Sequence, residues 1–410
     1  MQLKNDITVT KSYMLKEEVL RRIKNNNTFI SIALITVFGL LLRFIFIEDA
    51  GGDYDGFLSQ WCMYLRENGG FNAIASVDTD YNVSYLYFLA LFSYLPVKDL
   101  YLIKFLSFIF DFVMALAGFF IVSYFEKENE KKILYSLAVF TGILFMPTVI
   151  LNSASWVQCD SIYTSFILLS LYFMLKEEYD LSFILYGVAI TFKLQAIFIL
   201  PAYGIIFLKN RNFSFLKFLW VPVVNFILYM PAVILGKPLS SLYDAYITQT
   251  GRYAYKTTLG YPNIYYFFGI YETQLIKPGI IFTMCLLFVL MIFVLLSKNK
   301  LSNKEIIHLG VAVIFLVTFF LPEMHDRYGY VAEVLFIIYF AIVKRDWIIL
   351  LIININALIT YLSFLEGVPE EVMPVVAVYQ FIVVIYFVAT FIIGRIKGDA
   401  KKVIVKGEAF

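Results

Sequence analysis

Residues 28–47 read TFISIALITVFGLLLRFIFI, and residues 51–61 read GGDYDGFLSQW. The first run carries a single charge, Arg43. At 1.5 Å per residue it is long enough to cross the roughly 30 Å hydrocarbon core of a bilayer. Its upstream flank holds Lys4, Lys11, Lys16, Arg21, Arg22 and Lys24. Such a flank starts the chain in the cytoplasm and leads Thr28–Ile47 outward, and a run without a small-residue cleavage site is expected to be a retained first helix. Asp53 and Asp55 then fall just past its non-cytoplasmic end, at the head of a long aromatic loop.

The rest of the chain agrees with that start. Of 410 residues, 61% are hydrophobic and only 16% are charged, where a soluble domain averages about 45–50% apolar and about 25% charged. The mean hydropathy is +0.78. This composition belongs to an all-α polytopic membrane protein whose partner is the lipid bilayer. The net charge of +2 points to no nucleic acid, because the basic residues sit in short runs between apolar segments. Cys62, Cys159 and Cys285 form no metal-binding spacing, and two histidines, His308 and His325, are too few for a His-built zinc or haem site. Cys62 and Cys159 both fall near outer loops, where a disulfide is conceivable; unpaired packing cysteines are the favoured expectation.

Apolar length and the lysines and arginines of the short loops lay out about twelve spans with both termini inside. They run Thr28–Ile47, Leu100–Tyr124, Ile133–Leu151, Ser161–Leu175, Leu181–Phe192, Ala196–Leu208, Phe215–Leu235, Gly279–Leu296, Ile306–Leu321, Gly329–Val343, Trp347–Leu365 and Pro374–Ile393. Residues 1–27 form a basic cytoplasmic segment, 28–395 a single membrane unit and 396–410 a basic tail. Ser84–Pro96 is too short for a full crossing, and counting it as one would turn every lysine-rich loop outward. It is therefore expected as a re-entrant or interfacial segment within a long first outer loop, 48–99. In that loop Phe57, Leu58, Trp61 and Leu65 share one side at helical spacing, as a helix lying in the interface would require.

Four clusters fall at outer ends. Asp53-Tyr54-Asp55, with Arg43 about a turn below, is either a solvated loop or an acid pair; Arg43 either snorkels or meets a phosphate with its bidentate fork. Trp156-Val157-Gln158-Cys159-Asp160 offers a helix N-cap at Asp160, or else the stacking face, amide and acid that bind a sugar. Phe192-Lys193-Leu194-Gln195 places a lysine inside a long apolar run, costing about 2.5–3.5 kcal/mol at mid-membrane unless it sits at a turn. Such a charge either snorkels or meets a lipid phosphate. Pro322-Glu323-Met324-His325-Asp326-Arg327-Tyr328 gathers four ionisable groups in one short turn, more than an ordinary polar turn needs.

These four runs, in this order between residues 30 and 390, resemble bacterial integral-membrane glycosyltransferases related to the GPI-anchor mannosyltransferase II, of the GT-C class. The resemblance implies a GT-C-like membrane fold and a polyprenyl-phosphate-linked sugar donor, a hexose, mannose by the family's name. It implies inversion at the anomeric carbon, with Asp53 or Asp55 as the base. Met63, beside Cys62, stands where many relatives carry an acid. The acceptor would be an extracytoplasmic glycan, lipid or protein, and the setting a bacterial cytoplasmic membrane with the active site facing outward. The chemistry asks for a base on the acceptor hydroxyl and for cations on the leaving phosphate. Arg43, Lys193, His325 and Arg327 are the candidates for the cations, and Trp156, Gln158, Asp160, Gln195, Glu323, Asp326 and Tyr328 the remaining candidates for substrate contacts. A divalent cation, Mg²⁺ or Mn²⁺, between Asp53 or Asp55 and Asp160 suits hard carboxylates and stays open.

The loop 236–278 is rich in tyrosine (Tyr243, Tyr246, Tyr253, Tyr255, Tyr261, Tyr265, Tyr266, Tyr271), which suits either a cover over the cavity or the headgroup belt. Two rival functions use similar residues. A lipid flippase or transporter also buries charge, but paired broken helices in two halves, and charges at the midplane, are lacking here. A polysaccharide polymerase would place arginines in a large late loop, where this chain has only Arg252.

Overall fold

The computed structural model describes residues 27–244, 246 and 255–407, with side chains as far as 398. The basic segment before Asn27, and Arg252 and Tyr253 of the late loop, lie outside the described residues. Fifteen described helices are named here: α1 (Asn27–Phe44), α2 (Ser59–Glu67), α3 (Val83–Phe92), α4 (Asp99–Phe125), α5 (Asn129–Leu144), α6 (Pro147–Ile150), α7 (Asp160–Leu175), α8 (Tyr179–Phe192), α9 (Leu200–Asn210), α10 (Trp220–Ile234), α11 (Ile276–Leu296), α12 (Asn303–Phe320), α13 (Tyr330–Val343), α14 (Trp347–Leu365) and α15 (Met373–Gly407). Seven are long and apolar enough to cross a membrane, some with the short turn that precedes them, and eight if the pair α5–α6, bent by 51°, makes one span. The others expected as crossings, α7, α8, α9 with its leading turn and α13, are shorter apolar helices. At 14–17 residues they reach about 21–26 Å, less than the hydrocarbon thickness.

The lipid-facing helices leave large apolar side chains in the open. Phe29, Phe38 and Ile45 near or on α1, and Ile281, Met284 and Phe288 of α11, are all exposed. Apolar surface on that scale, on helices long enough to span, suits a lipid solvent. At the centre, every residue of α12 from Ile306 to Phe320 is buried, and so is α13 from Tyr330 to Tyr339. Helices hydrophobic all round belong in the middle of a bundle.

Antiparallel connections sort the loops onto two ends. At one end Lys344 Nζ donates to Glu126 at 2.6 Å, Arg395 Nη1 to Glu305 at 2.9 Å and Lys300 Nζ to Asn212 at 2.9 Å. These contacts join short lysine- and arginine-bearing loops at one end. The other end receives the start of α7, the end of α8 and the turn between α12 and α13. The four clusters picked out in the sequence lie there or on the helices leading to it.

Local detail refines the first outer loop and the tail. The short stretch Ser84–Pro96 carries helix α3, which at ten residues is too short for a span, as expected, and packs among α2, α8 and α10. In the preceding helix, Leu58, Trp61 and Leu65 are buried together with Cys62, but Phe57 is exposed. A π-helical turn, Tyr54–Leu58, shifts the phase at that point. The tail does not begin as a separate segment at 396, because α15 continues to Gly407. All three cysteines are free, Cys62 and Cys159 buried and Cys285 exposed.

Candidate active site

The loop after α1 docks on the loop before α7. A Cβ added at Gly51 would stand 2.9 Å from the Trp156 carbonyl oxygen, so only glycine lets the two backbones come this close. Asp53 is thereby delivered to Trp156 and Gln158. Trp156 Nε1 donates to Asp53 Oδ2 at 3.1 Å and Gln158 Nε2 to the same oxygen at 2.5 Å. Val157, between the two donors, holds φ at 62°, a left-handed conformation that a β-branched residue adopts only under strain.

Asp160 forms the second half of the site. Its Oδ1 accepts from Lys193 Nζ at 2.7 Å and its Oδ2 from Asn152 Nδ2 at 2.8 Å. Gln158 Oε1 also accepts from Lys193 Nζ, at 3.3 Å, and from the Tyr81 hydroxyl at 3.4 Å. Lys193 occupies the extended break between α8 and the 3₁₀ turn Leu194–Ile199. It therefore sits at a turn, as its cost inside an apolar run requires. Arg327 joins the two acids, with Nη1 3.5 Å from Asp53 and Nε 3.5 Å from Asp160. Two carboxylates and two cations alternate as Asp53, Arg327, Asp160 and Lys193.

The turn carrying Arg327 is held by backbone pairing. Strand β1 (Thr258–Leu259) runs parallel to β2 (Met324–His325), Glu323 N–H donates to the Thr257 carbonyl at 2.8 Å and Asp326 N–H to that of Leu259 at 3.1 Å. Part of the tyrosine-rich loop is thus stitched to the site, and Glu323 takes φ 61°. The tyrosines divide. Tyr261 and Tyr265 are buried, while Tyr243, Tyr255 and Tyr271 are exposed.

Electrostatics follow from burial. Asp326 is pushed up to about 7, chiefly by burial and against the pull of Arg327. Burial also raises the Glu323 carboxyl. The Arg327 guanidinium is held firmly protonated by Asp160, Asp326 and Asp53 against the desolvation that opposes it. Burial, helped by Arg327 and Lys193, drives the His325 imidazole down to about 3.

Several sequence expectations are corrected by this geometry. Arg43 is fully buried inside the bundle, where its Nε pairs with Asp111 Oδ2 at 2.8 Å. Its donors are taken up inside the bundle by Asp111 and by the Gly39 and Leu144 carbonyls, so its fork is not presented at the outer face. Asp55 points outward and is exposed; the π turn that begins at Tyr54 separates it from Asp53. Asp160 is the first residue of α7, not its cap, and makes no side-chain capping bond; Lys193, Asn152 and Arg327 claim it instead. Trp156 offers no stacking face for a sugar, since Phe364 stacks on it at 4.2 Å and the Arg327 guanidinium lies 5.1 Å from its ring centre. It and Gln158, whose amide is engaged at both ends, act as donors to Asp53. Burial and the neighbouring Arg327 and Lys193 disfavour the charged form of His325, which weakens its claim as a cation.

The Asp53–Asp160 metal site does not fit either. A guanidinium already stands between the carboxylates, and an ammonium is paired with Asp160. Asp55 is not brought to Asp160. Of the remaining candidates, Tyr328 packs near His325 and Phe198, and the side-chain oxygen Oε1 of Gln195 is buried without a hydrogen-bond partner. The structure also recruits residues missed in the sequence. Asn152 bonds both Asp160 and the Tyr361 hydroxyl, and Tyr81 lies under Lys193, 5.5 Å from its ammonium. Their signal was faint: polar residues in LNSAS at 151–155 and in VDTDYN at 77–82.

No protein-family model and no curated protein matches this chain, so the chemistry of the site has to be read from its own residues.

Proposed function

We propose that the protein is a membrane glycosyltransferase of GT-C type. It would move a hexose from a polyprenyl-phosphate-linked donor to an extracytoplasmic acceptor with inversion, Asp53 serving as general base. The observation that carries this reading is the Asp53 carboxylate, oriented by Trp156 and Gln158, beside Arg327 and with Lys193 one step further on through Gln158. A base beside fixed cations is what attack by a hydroxyl and departure of a phosphate both need.

Topology supports the same reading. If the shorter helices α7, α8, α9 and α13 also cross, the count is twelve, and the basic loops share one end, as the positive-inside rule asks of the cytoplasmic side. The site would then face outward, away from nucleotide sugars, and a lipid-linked donor follows. Asp53 is our choice of base over Asp160 because its side chain is 26% exposed against 3%; a base must reach an incoming hydroxyl.

In this scheme the acceptor oxygen attacks the anomeric carbon as the bond from that carbon to the phosphate oxygen breaks. The acceptor proton passes to Asp53. The electron pair leaves on the polyprenyl phosphate, whose growing charge is stabilised by Arg327 and Lys193.

The test is transfer in liposomes from a panel of polyprenyl-phosphate sugars to membrane acceptor lipids. Asp53→Asn should lose about 10²–10⁴-fold in rate, the usual worth of general base catalysis, and Asp55→Asn should stay near wild type. No transfer from any donor, with movement of labelled lipid across a sealed liposome, would replace this reading with a flippase.

A further inference from the structure

Along α1 only Gly39 and Arg43 are fully buried. Both meet the same residue. A Cβ added at Gly39 would lie 2.7 Å from Leu144 Cδ2, and Arg43 Nη2 donates to the Leu144 carbonyl at 3.1 Å. Leu144 is the last residue of α5, just before the 51° bend into α6. A carbonyl at that position has no helical partner of its own, and Pro147 in the next turn brings no N–H.

Arg43 reaches beyond the bend as well. Its Nε pairs with Asp111 Oδ2 at 2.8 Å, and the same oxygen accepts from Ser153 Oγ at 2.6 Å. Ser153 is the middle residue of a π-helical turn, Leu151–Ser155. That turn leads straight into the site: Trp156 N–H donates to the Leu151 carbonyl and Gln158 N–H to that of Asn152, both at 2.8 Å. One guanidinium therefore holds the end of α5 and, through Asp111, the turn that presents Trp156, Gln158 and Asn152. π-turns of this kind are often kept at functional sites.

We propose that Arg43 is a positioning residue. Its stitch between Leu144, Asp111 and Ser153 sets the bent helix so that Trp156 and Gln158 grip Asp53. The kinetic consequence rests on the transferase reading above; the structural consequence does not.

Two variants separate this role from simple stability. Arg43→Lys keeps a positive charge for Asp111 but has no fork to reach the Leu144 and Gly39 carbonyls as well, which Arg43 Nη2 and Nη1 meet at 3.1 and 3.0 Å. Arg43→Met with Asp111→Leu removes both charges, so neither is left buried and unpaired, and it also frees Leu144 and Ser153. In a background of Trp61→Phe, Trp220→Phe and Trp347→Phe, Trp156 is the sole indole, and its quenching by acrylamide reports on the loop whether or not transfer is found. Both variants should melt cooperatively in detergent and show increased quenching of Trp156. With a working donor, kcat should fall by about 10²-fold, the loss expected when a remote change misplaces a reacting group by 1 Å, with little change in KM.

Wild-type quenching and kcat in both variants would overturn the proposal. Loss of the fold in both would overturn it too, since the pair would then hold the bundle and not the site. If wild type transfers nothing from any donor, the transferase reading fails, and the quenching alone decides the role of Arg43.

Discussion

Gln158 clamps Asp53 in one orientation. Its Nε2 donates to Asp53 Oδ2 at 2.5 Å, and its Oε1 accepts from Lys193 at 3.3 Å and from Tyr81 at 3.4 Å. The amide cannot flip without turning its oxygen towards a carboxylate and its NH₂ towards an ammonium. Gln158→Glu is nearly isosteric but sets a second carboxylate against Asp53. It should lower kcat more than Gln158→Ala, which leaves Asp53 with Trp156 and Arg327. Equal losses in the two variants would mean that the amide merely fills space.

Arg327 serves two acids at once, 3.5 Å from each. A lysine there is a single point charge and cannot span both. Arg327→Lys should fold with a modest loss of melting temperature and lose about 10²–10³ in kcat, the scale of one transition-state donor. Arg327→Met leaves Asp53 and Asp160 with one cation fewer and should be the less stable of the two in detergent melts. The reverse order would show that Arg327 contributes bulk more than charge.

Asp326 makes stability depend on pH with a definite sign. It lies 3.7 Å from Arg327 and borders a small cavity also lined by Glu333, Tyr261, Asn356 and Gln380. Its folded pKa of about 7 stands above the ordinary value of 3.8. Between those values the folded state keeps a proton that the unfolded chain releases, so stability falls as pH rises through that window and levels off above it. Melting temperature against pH from 5 to 8 should decline less in Asp326→Asn than in wild type. Parallel curves would show that Asp326 ionises normally.

His325 carries the opposite dependence. Its folded pKa of about 3 lies below the ordinary 6.5, so its contribution is present above pH 6.5 and is lost as pH falls towards 3. His325→Gln should melt more evenly between pH 6.5 and 4. A histidine proton resonance titrating near 6.5 in the folded protein, absent in His325→Gln, would contradict the neutral form that burial favours at this site.

Metal removal gives a further check. With a guanidinium between Asp53 and Asp160, the proposed transfer should survive EDTA and gain nothing from added Mg²⁺ or Mn²⁺. Loss of turnover in EDTA, restored by one of these ions, would mean that Arg327 yields its place when substrate binds.

The apolar runs, the gathering of basic loops at one end and the four polar clusters were all open to a reader of the chain. Each depends on local properties: the length of an uncharged segment, the cost of a charge in lipid, the sign of a short loop. What the clusters do to one another is not local. Asp53 and Gln158 are 105 residues apart, and Arg43 and Asp111 are 68 apart. Residues two apart on a helix face opposite ways, so only one of Asp53 and Asp55 can turn inward, and tertiary packing against Trp156, Gln158 and Arg327 decided that it is Asp53. Packing likewise turned Arg43 from a candidate phosphate ligand into a buried stitch. A side chain's partner is set by which helices meet and how their axes bend, and hydrogen bonds reward only the distances that this meeting creates.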